Sequence, residues 1–271
     1  MLPDRSLDFK NVKSYGGSKG RERLTVVLCC NANGSEKFKL WIIGKYKNPQ
    51  CLNKINRLIL PFDYTHQKNV WVDSVSFRLW PIKFQRKMAS EDRHVLLTLD
   101  NCSAHNIDGL NLLNVKIIYF PANSTSIVQP LDQGIIAAFK SRFKTRLVRY
   151  ALLCIESQQS NMKWNILQAM RAMAISWDDV TGQTITICFN KAWNTRTVNL
   201  PSESSFLSQD TEDWTNLISG IHPTINMSFS EFIVLDNNIE ICALEDNVEV
   251  EGEIQEDKVD NEEMIEKPSR N

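Results

Sequence analysis

The chain has 271 residues, of which 42% are apolar and 23% are charged, as in an ordinary globular protein with a sizeable core. It contains no apolar run of the roughly 20 residues that a membrane-spanning helix needs, and its first residues lack the apolar stretch of a signal peptide. Its seven cysteines are odd in number and show no C-x-x-C spacing, which disfavours a disulfide framework and a zinc site. We therefore expect reduced thiols in the cytosol or nucleus, and no membrane association.

The charges are unevenly distributed along the chain. Residues 1–200 contain 28 Lys and Arg against 14 Asp and Glu, whereas residues 201–271 contain 3 against 18. A basic body with an acidic tail is common among proteins that associate with nucleic acids. A soluble body with a solvated tail would have the same charges, so the distribution alone leaves both interpretations open.

The first third of the chain predicts a basic arm, a hairpin and a helix. Residues 9–23 are polar, basic and glycine-bearing, as in a mobile loop or arm. Two short apolar runs at 24–30 and 37–44 flank an Asn-Gly turn signal, which predicts a β-hairpin. Apolar residues from 71 to 84 recur at near-helical spacing after Asp73, a candidate N-cap, and Pro81 predicts a kink or break.

The middle of the chain predicts two strands of a parallel sheet. Residues 94–99 and 115–120 are near-continuous apolar runs, the pattern of strands buried on both faces. Between them, residues 105–113 have the pattern of a short helix. The first strand ends at Asp100, and a loop rich in Ser and Thr leads from the second strand to Asp132.

The second half of the chain predicts helices followed by an acidic tail. Apolar residues at spacings of three or four predict helices over about 134–156, 162–176 and 184–193. Residues 201–271 are too polar and acidic to bury enough apolar surface to offset their ordering entropy, so we expect disorder there. Within this tail, 229–235 is a candidate contact motif.

Asp100 and Asp132 are the residues best placed for chemistry. Each follows an apolar strand, so a sheet can bring both carboxylates to one edge, where ligands gather in open α/β sheets. Clustered carboxylates hold the ions of two-metal phosphoryl-transfer sites, and most such sites use a third carboxylate. Taken singly, Asp100 is more typical of a loop residue and Asp132 of a helix N-cap.

Several segments resemble the DDE superfamily endonucleases of the pogo, Tigger and Jerky group. Residues 100–105 are similar to that group's D-N-x-x-A-H segment, and residues 121–134 are similar to its P-x-N-x-T-S and Q-P-L-D-Q-G signature. Residues 28–45 resemble its hairpin, and 184–192 its T-I-x-x-C-F-x-K-A helix. The resemblance covers about residues 1–195.

The resemblance implies a ribonuclease H-like α/β fold, a mixed sheet with flanking helices, and metal-dependent DNA cleavage and joining. Asp100 matches the second acidic residue of the family's triad and Asp132 the third, and these two would bind Mg²⁺ or Mn²⁺. The first acidic residue lies in a strand that would precede Met1, so we expect that strand, its carboxylate and the N-terminal DNA-binding domains to be missing. Asp4 and Asp8 do not match the motif's position.

The expected organisation has three parts: an incomplete ribonuclease H-like core over 1–157, a helical extension of that core over 158–200, and a mostly disordered acidic tail over 201–271. Loss of the first strand would leave unpaired sheet edges, which invite a partner strand. We therefore expect either self-association or pairing with a full-length relative as an alternative to a solitary fold.

Other residues predict supporting roles. His105 is a candidate proton shuttle near the metal, although a hydrogen-bonding role is more typical of a single histidine. Cations in the arm and on the 134–156 helix could neutralise DNA phosphates without reading bases. The residues concerned are Lys19, Arg21, Arg23, Lys140, Arg142, Lys144, Arg146 and Arg149.

Three functions follow from these features. The leading hypothesis is a transposase-derived, nuclear DNA-binding protein with a degenerate endonuclease core that needs no cofactor. The second is an active Mg²⁺- or Mn²⁺-dependent endonuclease in which another carboxylate, such as Asp4 or Asp8, replaces the missing one. The third is an interaction module that pairs through its open sheet edge with a full-length relative.

Overall fold

A three-stranded sheet forms the N-terminal part of the molecule. The computed structural model describes residues 23–158, 164–193, 207–221 and 227–234. Strand β1 (Thr25–Val27) pairs antiparallel with β2 (Leu40–Gly44), and β2 pairs in parallel with β3 (Phe62–His66). The predicted hairpin is confirmed: Gly34, in the turn, has a φ of 68°, which favours glycine. Two short 3-10 turns, Gln50–Leu52 and Arg57–Ile59, lie in the connection from β2 to β3.

Helix α1 (Ser74–Ser90) begins where the sequence predicts and then continues through Pro81. The Asp73 side chain accepts a hydrogen bond from the Ser76 amide at 2.7 Å, which confirms the N-cap. The break expected at Pro81 is wrong. Because the ring of Pro81 is buried, and Phe77 and Phe84 on the same helix pack into apolar clusters, tertiary burial offsets the lost helical hydrogen bond.

A second, two-stranded sheet follows. Strands β4 (Val95–Leu99) and β5 (Val115–Tyr119) pair in parallel, as predicted. The helix expected at 105–113 is wrong: the structure has a 3-10 turn, Ser103–His105, and then an irregular segment with Gly109 at a φ of 75°. The expectation that these strands are buried on both faces is also wrong, since Leu96 is 57% exposed and Ile118 is 43% exposed.

The two sheets are adjacent through an apolar cluster. Among the described residues, β1 and β4 each have one edge without a strand partner. Val27 of β1 and Leu99 of β4 nevertheless pack on the same buried residues, which include Phe77 of α1. The packing therefore holds β1 and β4 near a common centre without hydrogen-bonding them to each other.

Helices cover the three-stranded sheet. A one-turn helix α2 (Thr125–Val128) and a wide helical turn (Leu131–Ile135) lead into α3 (Ile136–Glu156), which is followed by α4 (Ile166–Asp178) and α5 (Gly182–Trp193). These three long helices match the predicted ones within a few residues. The main core joins them to the sheet through, among others, Leu40, Ile42, Phe62, Ile135, Met170, Trp177 and Ile185.

Two helices lie in the segment expected to be disordered. Helices α6 (Leu207–Ile221) and α7 (Phe229–Val234) pack on the C-terminal half of α3. The expectation of disorder is therefore wrong for these residues, because Trp214, Leu217, Phe229 and Phe232 bury their side chains with Val148. The rest of the tail, and the arm up to residue 22, lie outside the described residues. No helix among the described residues is long and apolar enough to span a membrane.

Candidate functional site

Asp100 lies at the C-terminal end of β4, where it contacts His105 from the following 3-10 turn. The carboxylate oxygen of Asp100 is 2.5 Å from His105 Nδ1, and both side chains are largely shielded from solvent. Burial alone would lower the pKa of His105, but the hydrogen bond and negative charge of Asp100 outweigh it and raise that pKa above its ordinary value. Asp100 therefore pairs with His105 and favours the protonated, positively charged form of that imidazole.

Two aromatic residues fix the position of His105. The Phe77 ring lies 4.3 Å from the imidazole, centroid to centroid, and the Tyr119 hydroxyl donates to the backbone carbonyl of His105 at 2.7 Å. These residues come from α1 and from the end of β5. Neither residue is marked by a sequence motif as part of the site, although Tyr119 stands at the end of the second predicted strand, on the sheet edge where the site was expected.

Asp132 lies in the wide helical turn that precedes α3. It does not cap a helix through its side chain, contrary to the simplest interpretation of its position. Gly134 in the same turn has a φ of 141°, a conformation that side chains rarely adopt, and Ile135 anchors the turn in the main core. The position of Asp132 therefore depends on how this turn packs in the main core.

The carboxylates of Asp100 and Asp132 lie within electrostatic reach of each other. Asp132 retains contact with solvent, but the surrounding protein desolvates its carboxyl group and the charge of Asp100 adds to this, so its pKa is raised. Lys140, one turn into α3, partly opposes the shift. The charge of Asp100 thus acts on Asp132, and His105 lies beside Asp100.

The donor set falls short of a complete two-ion site. Carboxylate oxygens suit Mg²⁺ and Mn²⁺, but two carboxylates, one of them already hydrogen-bonded to His105, are fewer than such a site ordinarily uses. In residues 23–158, 164–193, 207–221 and 227–234, no group of three or more His, Cys, Asp or Glu side chains is arranged to hold a metal ion. The described residues thus fit a metal only in part.

The cations of α3 are engaged by other parts of the protein. Lys144 is only 3% exposed, and its ammonium donates to the carbonyls of Phe232 and Ile233 in α7. Arg149 pairs with Asp210 and Asp213 of α6 at 3.1 and 2.9 Å. As a candidate DNA contact, Lys144 is therefore unsuited in this conformation, because its charge is buried and already hydrogen-bonded.

The remaining predicted cations differ in their surroundings. Arg146 pairs with the Asp179 carboxylate, and Arg142 donates to the Asp179 carbonyl at 3.0 Å. Lys140 lies near Asp132, as described above. Arg23 is exposed at the start of the described chain, and Lys19 and Arg21 lie outside the described residues.

Comparison with known proteins identifies the family. The family model of the DDE superfamily endonucleases matches residues 21–189, a span that contains both aspartates and the hairpin. The chain belongs to the DDE superfamily endonuclease family. No solved structure matches it.

The curated relatives of this DDE family member include a protein named as transposable element-derived. Tigger transposable element-derived protein 4 of Mus musculus is 27% identical over 265 residues, covering 95% of this chain and 50% of the relative. CENP-B homolog protein 2 of Schizosaccharomyces pombe is 32% identical over 200 residues, covering 70% and 38% respectively. The Jerky protein of Mus musculus is 32% identical over 213 residues, covering 75% and 36%. The chain thus spans half or less of the length of these relatives.

The two aspartates of the DDE domain should respond oppositely to amidation. Asp100→Asn removes the charged partner of His105, and we expect the free energy of unfolding at pH 7 to fall by about 1–2 kcal/mol, the lower part of the range for a charged hydrogen bond because both groups retain some solvent contact. Asp132→Asn removes a carboxylate that is disfavoured when ionised, so stability should hold or rise by less than about 1 kcal/mol. Urea unfolding of both variants measures the difference.

The pH dependence supplies the control for this pair of variants. Because the folded pKa of His105 is raised, its contribution is present below the unfolded pKa, about 6.5, and is lost as pH rises through the folded pKa. The loss of stability on going from pH 6 to pH 8.5 should therefore be smaller in Asp100→Asn than in the unmodified protein. Equal slopes in the two proteins would contradict the assignment.

Proposed function

We propose that this chain is a transposase-derived DNA-binding protein whose metal-dependent endonuclease centre is degenerate and does not cleave DNA. The observation that carries the proposal is the pairing within the DDE-matched region: Asp100 and Asp132 interact electrostatically, while Asp100 is held by His105. Two carboxylates can retain weak affinity for Mg²⁺ or Mn²⁺, but they position ions less firmly than three.

The proposed fold is a ribonuclease H-like sheet without its first strand. The two sheets would be parts of one sheet, with the first strand belonging between β1 and β4. In support, these two strands present unpaired edges within the described part of the chain and share one apolar cluster. On this view, 1–157 is the core, 158–200 extends it, and the acidic residues beyond 200 form a tail that contains α6 and α7.

A nuclear, DNA-associated role is proposed from the relatives. One relative, major centromere autoantigen B of Mus musculus, carries the centromere in its name and is 29% identical over 189 residues. The basic composition of residues 1–200 agrees with a polyanionic partner. The contacts would be to phosphates and would carry no base specificity.

The proposal predicts DNA binding without nicking. Incubation of the full chain with supercoiled plasmid and either Mg²⁺ or Mn²⁺ should leave the plasmid intact, whereas fluorescence anisotropy should detect binding to a labelled duplex that weakens steeply with salt. Nicking that disappears in both Asp100→Ala and Asp132→Ala would overturn the degenerate assignment and favour the active endonuclease, with Asp4 or Asp8 as the first candidates for the third carboxylate. A protein that neither nicks nor binds duplex DNA would contradict both proposals.

The exposed apolar residues on the second sheet favour one alternative, a module that pairs with another chain. Leu96, which is 57% exposed, lies on β4. In the part of the chain that the structure describes, one edge of β4 has no strand partner and could accept a strand from a second copy or from a full-length relative. Light scattering after size exclusion would show a concentration-dependent mass if copies pair. A constant monomer mass with unchanged DNA affinity after removal of residues 235–271, which spares α6 and α7, would count against pairing and against a covering role for the tail.

A further inference from the structure

The connection between β2 and β3 contains four cations and no acidic residue of its own. From residue 37 to residue 62 the sequence contains six Lys and Arg and no Asp or Glu. Two of the six, Lys37 and Lys39, precede β2 and so lie outside the connection; Lys37 donates to carbonyls at the end of α4, and Lys39 donates to the Leu60 carbonyl. The other four are Lys45, Lys47, Lys54 and Arg57.

These four cations are presented to solvent. Their side chains and that of Tyr46 are exposed, and Tyr46 is exposed by 51%. Within the portion of the chain that the structure describes, no ion pair involves any of the four. The cations of α3 differ in this respect. Lys144 donates to α7, Arg149 pairs with α6, and Arg146 pairs with Asp179.

The connection is held in place, so the cations have a defined arrangement. Arg57 donates to Asn48 Oδ1 at 2.8 Å and to the Lys47 carbonyl at 3.3 Å, which joins the two ends of the connection. Tyr64 of β3 donates to the Tyr46 carbonyl at 2.7 Å. Leu52, from the middle of the connection, is buried in the main core.

We propose that the 45–57 connection is the surface on which this chain binds the phosphate backbone of duplex DNA. The inference rests on the proposed DNA-binding function. It assigns the DNA contacts to the 45–57 connection, whereas the sequence predicts them on the arm and on α3. Lysines on a fixed connection contact phosphates as point charges, and each contact releases counterions from the DNA. Because the side chains project from one connection and not from a groove-filling element, the binding is independent of base sequence.

The test is a triple substitution with a charge-matched control. Lys45→Gln, Lys47→Gln and Lys54→Gln are combined in one full-length variant. The control combines Lys116→Gln, Arg171→Gln and Lys191→Gln, which removes three exposed cations from β5, α4 and α5. Both variants lose the same net charge, so a difference between them reports position.

Binding to a labelled duplex is measured as a function of salt. In the connection variant we expect the slope of log affinity against log salt to fall in magnitude by about 2–3 and the affinity at low salt to fall by at least about tenfold, since each phosphate contact contributes about 0.9 to the slope. The control variant should retain most of the slope. Thermal unfolding of both variants verifies that they are folded, and Lys47→Gln alone should reduce the slope by about one.

The outcomes separate this inference from the proposed function. If the unmodified chain binds the duplex and both triple variants lose the same slope, the assignment to 45–57 is overturned and the proposed function stands. If the unmodified chain does not bind the duplex, both fall. Vesicles containing phosphatidylserine form the last arm: binding to them that exceeds binding to the duplex, and that depends on the three lysines, would identify an anionic membrane as the partner and overturn the proposal.

Discussion

Replacing Trp177 with alanine should lower the free energy of unfolding by about 3–5 kcal/mol, the range for truncating a large buried aromatic residue. Trp177 is 2% exposed at the C-terminal end of α4, and its ring meets that of Phe139 edge-on at 6.3 Å. Its indole N–H donates to the Phe38 carbonyl at 3.0 Å, which joins α4 to the hairpin. Alanine would lose the packing and leave that carbonyl unsatisfied.

The same residue organises the end of α4 through Lys37. The Lys37 ammonium lies 5.7 Å from the Trp177 ring centroid and donates to the carbonyls of Trp177 and Val180 at 2.9 and 2.8 Å. It thereby satisfies carbonyls that a helix C-terminus leaves without partners. Removing the ring therefore weakens the contacts between the residues that precede β2, the end of α4 and the loop before α5.

Urea unfolding followed by circular dichroism measures the effect of Trp177→Ala. Trp177→Phe keeps most of the ring packing and should cost about 1–2 kcal/mol, mainly from the lost indole hydrogen bond. Trp193→Ala is the control for tryptophan loss as such, because that side chain is 41% exposed and should cost less than about 1.5 kcal/mol. Equal losses for Trp177→Ala and Trp193→Ala would contradict the packing described for α4.

Local sequence signals predicted the elements that depend on local physics. The Asn-Gly turn fixed the hairpin, Asp73 fixed the start of α1, and apolar periodicity located the three long helices, because in each case neighbouring residues supply the decisive interaction. Asp100 directly follows an apolar strand, as the sequence predicts, whereas Asp132 lies in the helical turn before α3 and not at the end of a strand.

Local sequence signals gave wrong predictions where residues distant in sequence determine the structure. Pro81 is disfavoured inside a helix, yet the packing of Phe77 and Phe84 outweighs the penalty. Trp214 and Leu217 have helical spacing, but the acidic composition of the tail predicted disorder because the apolar face of α3 that receives them is not visible from the tail itself. Exposure of Leu96 likewise depends on which elements cover β4.

Residues distant in sequence also determine whether the cations of α3 can contact DNA. A row of lysines and arginines on one helix predicts a nucleic-acid surface only if solvent surrounds it. Asp210 and Asp213 lie more than 60 positions away in sequence from Arg149, yet α6 brings them to it. Residues 37–62 contain six Lys and Arg and no acidic residue, a local excess of positive charge that a count over residues 1–200 does not reveal.

Replacing Lys144 with methionine should selectively destabilise α6 and α7. Methionine retains the aliphatic length but leaves the carbonyls of Phe232 and Ile233 without the ammonium that now donates to them at 2.6 and 2.8 Å. Charged hydrogen bonds of this kind contribute about 1.5–3 kcal/mol, and the cation also lies 4.9 Å from the Phe232 ring centroid. Amide exchange in peptides from 207–234 should accelerate by roughly 10- to 150-fold while α4 remains protected.

The same variant distinguishes a packing role from a DNA-binding role for Lys144. If Lys144 bound a phosphate, its loss would reduce the salt slope of duplex binding by about one and leave amide exchange in α7 unchanged. Lys140→Met makes the same chemical change one turn earlier, beside Asp132 and away from α7, and should leave exchange in 207–234 near its original rate. Because Lys144 is 3% exposed, we expect amide exchange in 207–234 to change and the salt slope of duplex binding to stay the same.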